Sequence, residues 1–141
     1  MSRSVLAALL LFALVAAGCK SETRVPVDPV SGKLSFQGQP PAGAQVILVP
    51  AAGSKLPPDL AASGTVNEDG TFQIDTYAKG DGAPAGEYVA TVQWFKLVNT
   101  DGGTGKGPNV IPAKYASATT SPIKVTVGKG PTEIPPVDLT N

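Results

Sequence analysis

The chain has 141 residues, 42% hydrophobic and 16% charged, with eleven Lys and Arg balancing eleven Asp and Glu and no histidine. That balance excludes a charge-rich disordered tail and gives no net pull on nucleic acid. Sixteen Gly and fourteen Pro, dispersed rather than periodic, exclude collagen and a helical bundle and point to a turn-rich all-β domain.

In chain order, Arg3 and the apolar run "VLAALLLFALVAA" (5–17) come first. As a helix this run would span roughly 20 Å, short of the ~30 Å hydrocarbon core, so it reads as a secretory leader and not a membrane span. Small residues Ala16, Ala17 and Gly18 then precede Cys19, the only cysteine. "AAGC" resembles the bacterial lipoprotein lipobox, with Ala16 where Leu is commonest and Leu14 two residues further back. The resemblance implies a signal peptide over 1–18, cleavage before Cys19 and acylation of Cys19, each buried methylene contributing about 0.8 kcal/mol to membrane binding. The alternative is an ordinary secreted protein, in which a lone free thiol would be an odd leftover. Lys20, where Asp would retain a lipoprotein in the inner membrane, favours delivery to the outer membrane or cell surface. Loss of the leader removes Arg3 and leaves ten basic against eleven acidic side chains.

Residues 19–29 form a polar, proline-marked tether, and a β-domain is predicted over 30–141. "VSGKLSF" (30–36) alternates, "GQPPAG" (38–43) is a loop, and "AQVILVP" (44–50) reads as a strand buried on both faces. "ASGTVNEDGTFQIDT" (62–76) is predicted to be a hairpin whose type I turn at 67–70 places Gly70 in the left-handed region. "GEYVATVQWF" (86–95) is the longest strand, with Tyr88, Ala90, Val92 and Trp94 on one side. "SPIKVTV" (121–127) and "TEIPPVDL" (132–139) are predicted to close as a final hairpin, its last strand an edge or bulged because of Pro135 and Pro136. Seven short strands at this spacing indicate a Greek-key β-sandwich. Val46, Leu48, Phe72, Ile74, Tyr88, Val92, Val125 and Val127 are its predicted core.

"VSGKLSFQGQPPAGAQVILVPA", "ASGTVNEDGTFQI" and "AGEYVATVQ" resemble the carboxypeptidase regulatory-like domain, a transthyretin-like (prealbumin-like) β-sandwich. Its pattern falls on Val30, Gly32 and Leu34; Gly38 and Pro40; Val46 and Leu48; Thr65, Asp69, Gly70 and Phe72; and Gly86 and Tyr88. The closing stretch is similar to the tail of small bacterial envelope lipoproteins with this domain. The matching residues are turn glycines and core positions, so the resemblance implies a fold and carries no chemistry.

Other chemistry is missing from the sequence. Without histidine there is no Ser-His triad and no usual zinc ligand. The purine-pathway hydrolase of the transthyretin-like fold ends in Tyr-Arg-Gly-Ser, whereas this chain ends in Asp-Leu-Thr-Asn. "TDGGTGKGPN" (100–109) lacks the first Gly and the Ser or Thr of a phosphate loop, and "NEDG" with Asp75 lacks calcium-loop spacing. Trp94, Phe95 and Tyr88 could offer a sugar-stacking platform, but alternation favours core packing for Tyr88 and Trp94.

The expectation is a lipid-anchored, non-enzymatic extracytoplasmic module for binding, adhesion or envelope structure, with a carbohydrate-binding accessory lipoprotein as the alternative. No cofactor, metal or nucleic acid is expected. The partners are the membrane, through lipid on Cys19, and an unidentified envelope protein or polysaccharide. Residues 96–112, with four glycines between two predicted strands, are expected to be the most mobile part of the domain; disorder without function is the favoured reading of the segment, and contact with a partner is the alternative. Its candidate contact residues are Lys96, Asn99, Asp101, Lys106 and Asn109.

Overall fold

Val30, Leu34 and Phe36 alternate inward along the first strand, β1 (Val30–Phe36), and their burial starts the core. The computed structural model describes residues 23–141; Cys19, the leader and the start of the tether lie outside the described residues. β1 is followed by β2 (Gln45–Pro50), β3 (Ala62–Thr65), β4 (Thr71–Gln73) and β5 (Gly86–Gln93). Then come β6 (Phe95–Thr100), β7 (Gly103–Asn109), a 3-10 turn (Ala113–Tyr115), β8 (Lys124–Val127), β9 (Thr132–Glu133) and β10 (Val137–Leu139). One sheet has the order β10-β1-β4, with β9 also pairing β1, and the other the order β3-β2-β5-β8. The fold is an all-β sandwich.

The core lies between these two sheets. All eight predicted core residues are buried, joined by Val30, Leu34, Ile134, Leu139 and Tyr115. Burial of each such large side chain stabilises by roughly 1.5–3 kcal/mol, which is why no disulfide is needed. The register sets Val46 opposite Val92 and Tyr88 opposite Val125, so alternate residues of three strands reach the same layer.

The 67–70 turn forms as expected. Gly70 N–H donates to the Asn67 carbonyl at 3.0 Å, and Gly70 has φ +86. The arms beside it do not pair as a continuous hairpin, however. β3 joins β2 in one sheet and β4 joins β1 in the other, leaving only a bridge between Ser63 and Asp75. Gly64 lets this crossing run close, because a Cβ there would collide with the Gln73 carbonyl.

The predicted final hairpin is likewise a crossing between sheets. β8 runs antiparallel to β5, whereas β9 and β10 run parallel to β1. Pro135 and Pro136 fall between β9 and β10, where they interrupt no ladder bond. β2 is buried on one face only: Val46 and Leu48 are inside, Ile47 and Val49 half-buried. The 96–112 segment is not an unstructured loop, since most of it forms the β6–β7 ribbon. Among the described residues ten strands thus replace the seven expected, the additions being that ribbon and the split of 132–139.

The ladders also define two ends of the sandwich. A bridge between Asp28 and Ala83 sets the start of β1 beside the approach to β5. The pairs Pro50–Tyr88 and Gly86–Val127 bring loops 51–61 and 128–131 to that same end. At the other end lie Gln45, Thr65 and Gln93, which pair across β2, and loop 37–43. The tether therefore joins one end, and β6 leaves from the other, about 27 Å away along the eight residues of β5.

Candidate functional site

Among the described residues, β6 and β7 pair with each other and with no other strand. β6 carries the strand formers Phe95, Val98 and Thr100, and Asp101 and Gly102 make the turn. Gly103, at φ +123, receives the chain on the far side, and the Thr100 hydroxyl donates to the Gly103 carbonyl at 2.8 Å. Register shifts between Phe95 and Leu97: Phe95 faces Asn109 and Leu97 faces Lys106, so β7 carries one extra residue there.

The base of the ribbon is fixed. The Asn109 side-chain oxygen accepts from Trp94 N at 2.9 Å and from Ile111 N at 3.2 Å. Val110 N donates to the Trp94 carbonyl at 2.8 Å, and the Trp94 indole N–H donates to the Ala42 carbonyl at 3.0 Å. Beyond this clamp the side chains face solvent, with Leu97 76% exposed and Val98 39%. A lone two-stranded ribbon is marginal in water, and exposed apolar residues beside unpaired strand edges are a template for a partner.

All five candidate contact residues lie on this ribbon, but they do not converge. Lys96 projects on the Val98 face and lays its Nζ 4.6 Å above the Trp94 ring. Leu97, Asn99 and Lys106 share the opposite face, where the Lys106 Nζ sits 3.5 Å from the centre of the Phe95 ring. Asp101 is at the tip. Asn109 is part of the clamp and belongs to the scaffold, a role that its position in a glycine-rich run did not signal. Each of the Trp94 and Phe95 rings thus has one face under an ammonium group.

Three acidic residues, Asp69, Asp75 and Asp81, serve their own loops. The Asp69 carboxylate accepts from Thr71 Oγ1 at 2.6 Å and Thr71 N at 3.0 Å, and these bonds hold its pKa below the usual carboxylate value. For Asp81, burial pushes the pKa up, but N–H donors of Thr76, Tyr77 and Ala78 outweigh it and the net direction is down. Asp75 accepts from Gly80 N. Among the described residues no group of three or more His, Cys, Asp or Glu is arranged to hold a metal ion. Several shallow clefts mark the surface of the sandwich. One of about 400 Å³ is lined by Arg24, Pro57, Leu60 and Tyr77, and one of about 320 Å³ by Tyr115, Ile123, Ile134 and Pro136.

No family model matches the chain, and no curated protein matches it in sequence. Among solved structures, it is similar to a 9R-lipoxygenase from Cyanothece PCC8801 at 14% identity and a TM-score of 0.45. The match covers 81% of this chain and 16% of the lipoxygenase. It is also similar to a candidate carbohydrate-binding protein from Pseudomonas aeruginosa, at 19% identity and a TM-score of 0.43, covering 83% of this chain and 90% of that one. The expectation that the chain is not an enzyme is corrected here, because one similar structure is an enzyme. At these scores the likeness supplies neither a reaction nor a ligand in its place.

Proposed function

We propose that this chain is an exported lipoprotein, acylated at Cys19, whose β-sandwich is a binding module of the cell envelope. In this reading the sandwich is a carboxypeptidase regulatory-like domain, and the β6–β7 ribbon is its contact element for an envelope protein. The observation that carries the reading is the separation of the two ends. The tether joins the sandwich at the Asp28–Ala83 bridge, and the ribbon leaves from the end that holds Gln45 and Gln93. An acyl anchor at Cys19 would thus leave the ribbon free to meet a partner. Exposed Leu97 and Val98, with the unpaired edges of β6 and β7, suit strand addition by a protein better than sugar stacking.

Fractionation of a Cys19→Ser variant tests the anchor. The variant is expected in the soluble periplasmic or culture fraction, because the acyl chains are the only firm attachment. Unchanged, detergent-dependent fractionation of the variant would rule the anchor out.

A further inference from the structure

The chain holds three Asp-Gly pairs, 69–70, 81–82 and 101–102. Aspartate before glycine is where a chain cyclises most readily, because glycine has no side chain to block the approach of its nitrogen to the aspartyl Cγ. Carboxyl and nitrogen must both be free to meet, and at two of the pairs neither is. The Asp69 carboxylate accepts from Thr71 Oγ1 at 2.6 Å and Thr71 N at 3.0 Å, while Gly70 N donates to the Asn67 carbonyl at 3.0 Å. The Asp81 carboxylate accepts from Thr76, Tyr77 and Ala78, while Gly82 N donates to the Ile74 carbonyl at 2.8 Å.

Asp101 and Gly102 differ on every count. Both are exposed at the tip of the ribbon, and a Cβ at Gly102 would meet nothing within 4 Å. Among the described residues the Asp101 carboxylate accepts no hydrogen bond and Gly102 N donates none. The bond from the Thr100 hydroxyl to the Gly103 carbonyl spans the turn and engages neither reacting group.

We propose that Asp101, alone of the three, is a site of spontaneous isomerisation to isoaspartate, and that the change unpairs the tip of the β6–β7 ribbon. The Gly102 nitrogen attacks the protonated Asp101 carboxyl at Cγ. A C–N bond forms, and the carboxyl hydroxyl leaves with the amide proton as water, giving a succinimide. Water then opens the ring: at Cγ it restores aspartate, and at the former main-chain carbonyl it leaves the backbone running through Cβ and Cγ, one methylene longer. No oxidant or reductant takes part. Register in a two-residue turn depends on its backbone length, so the added atom strains the pairs nearest the turn, Thr100–Gly103 and Asn99–Thr104. The base, held by Asn109, keeps its bonds. The proposal holds whether or not the ribbon meets a partner.

The test ages the folded full chain at mildly acidic pH in water enriched in oxygen-18, with a urea-denatured sample alongside, and maps the peptides by mass. Each ring opening adds one heavy oxygen. In the denatured chain all three pairs should take up label at similar rates. Folding should suppress labelling at Asp69 and Asp81 and leave the rate at Asp101 unchanged. Gly102→Val, whose side chain has open space, should slow labelling at Asp101 at least severalfold, and Asp101→Glu should abolish it there. In the aged wild type, amide exchange should accelerate across 99–104 and stay slow at Trp94 and Ile111. Labelling of Asp69 or Asp81 in the folded chain as fast as Asp101, or protection of Asp101 by folding, overturns the site. Isomerised chain with unchanged exchange across 99–104 overturns the unpairing.

Discussion

The Tyr88 hydroxyl donates a hydrogen bond of 2.7 Å to the carbonyl oxygen of Pro84, and both residues are fully buried where β5 enters the sandwich. Burial pushes the Tyr88 pKa up to about 12, with the nearby Tyr77 adding to the shift. In the unfolded chain the phenol ionises near its usual value of 10.0, so above that pH the unfolded state is favoured. Stability tied to Tyr88 is complete below pH 10 and falls as pH rises toward 12. Tyr88→Phe should cost about 1 kcal/mol at neutral pH and flatten the alkaline loss, as followed by urea unfolding at several pH values. A variant with the wild-type alkaline slope would assign that slope to another group.

Asp81 behaves in the opposite sense. Its pKa lies below the usual 3.8, so its contribution is complete at neutral pH and is lost as pH falls below 3.8 through the lowered value. Asp81→Ala strips three N–H groups of their acceptor and should cost about 1–2 kcal/mol, with solvent at this half-buried site blunting the effect. Thermal melts at pH 7 and pH 3 check this. The gap between variant and wild type should narrow at the lower pH.

At Gly70 two penalties coincide. Its φ of +86 is left-handed, and a Cβ there would sit 2.6 Å from the Leu34 carbonyl oxygen. Gly70→Val should destabilise by about 2 kcal/mol or more. Gly53 has φ +81 with open space around it, so Gly53→Ala should cost only about 1 kcal/mol. Equal costs for the two would mean that the Leu34 contact does not matter.

These positions show what the sequence made legible. Alternation at Val46 and Leu48, Phe72 and Ile74, and Val125 and Val127 identified the core, because a period of two fixes which face is buried. It does not say which strand lies alongside. The arms 62–65 and 71–73 are close in sequence and a tight turn joins them, yet each completes a different sheet. The same ambiguity turned 121–139 into a hairpin it is not. β7, "GTGKGPN", has no apolar signal at all, so its backbone pairing with β6 was invisible and the segment read as a loop. The candidate residues of 96–112 therefore stand on a ribbon with two faces, and Asn109 is its clamp.

Asn109 gives a separate handle on that ribbon. Asn109→Ala removes the acceptor shared by Trp94 N and Ile111 N and should cost about 1 kcal/mol, whereas Asn109→Asp keeps an oxygen in place and should cost less. Amide hydrogen exchange should accelerate at Trp94 and Ile111 in the alanine variant. Unchanged exchange there would show that the ribbon is held by other contacts.

The most direct measurement of the account is photo-crosslinking in intact cells, from positions at the two ends of the sandwich. A photoreactive residue replaces Leu97, Asn99 or Thr104 on the ribbon in one set and Gly53, Lys55 or Lys129 at the tether end, where Tyr77 lies, in the other. The account predicts a discrete protein adduct from the ribbon positions and none from the Tyr77 end. Adducts that arise from the Tyr77 end or from the β9–β10 edge, with none from the ribbon, would contradict it.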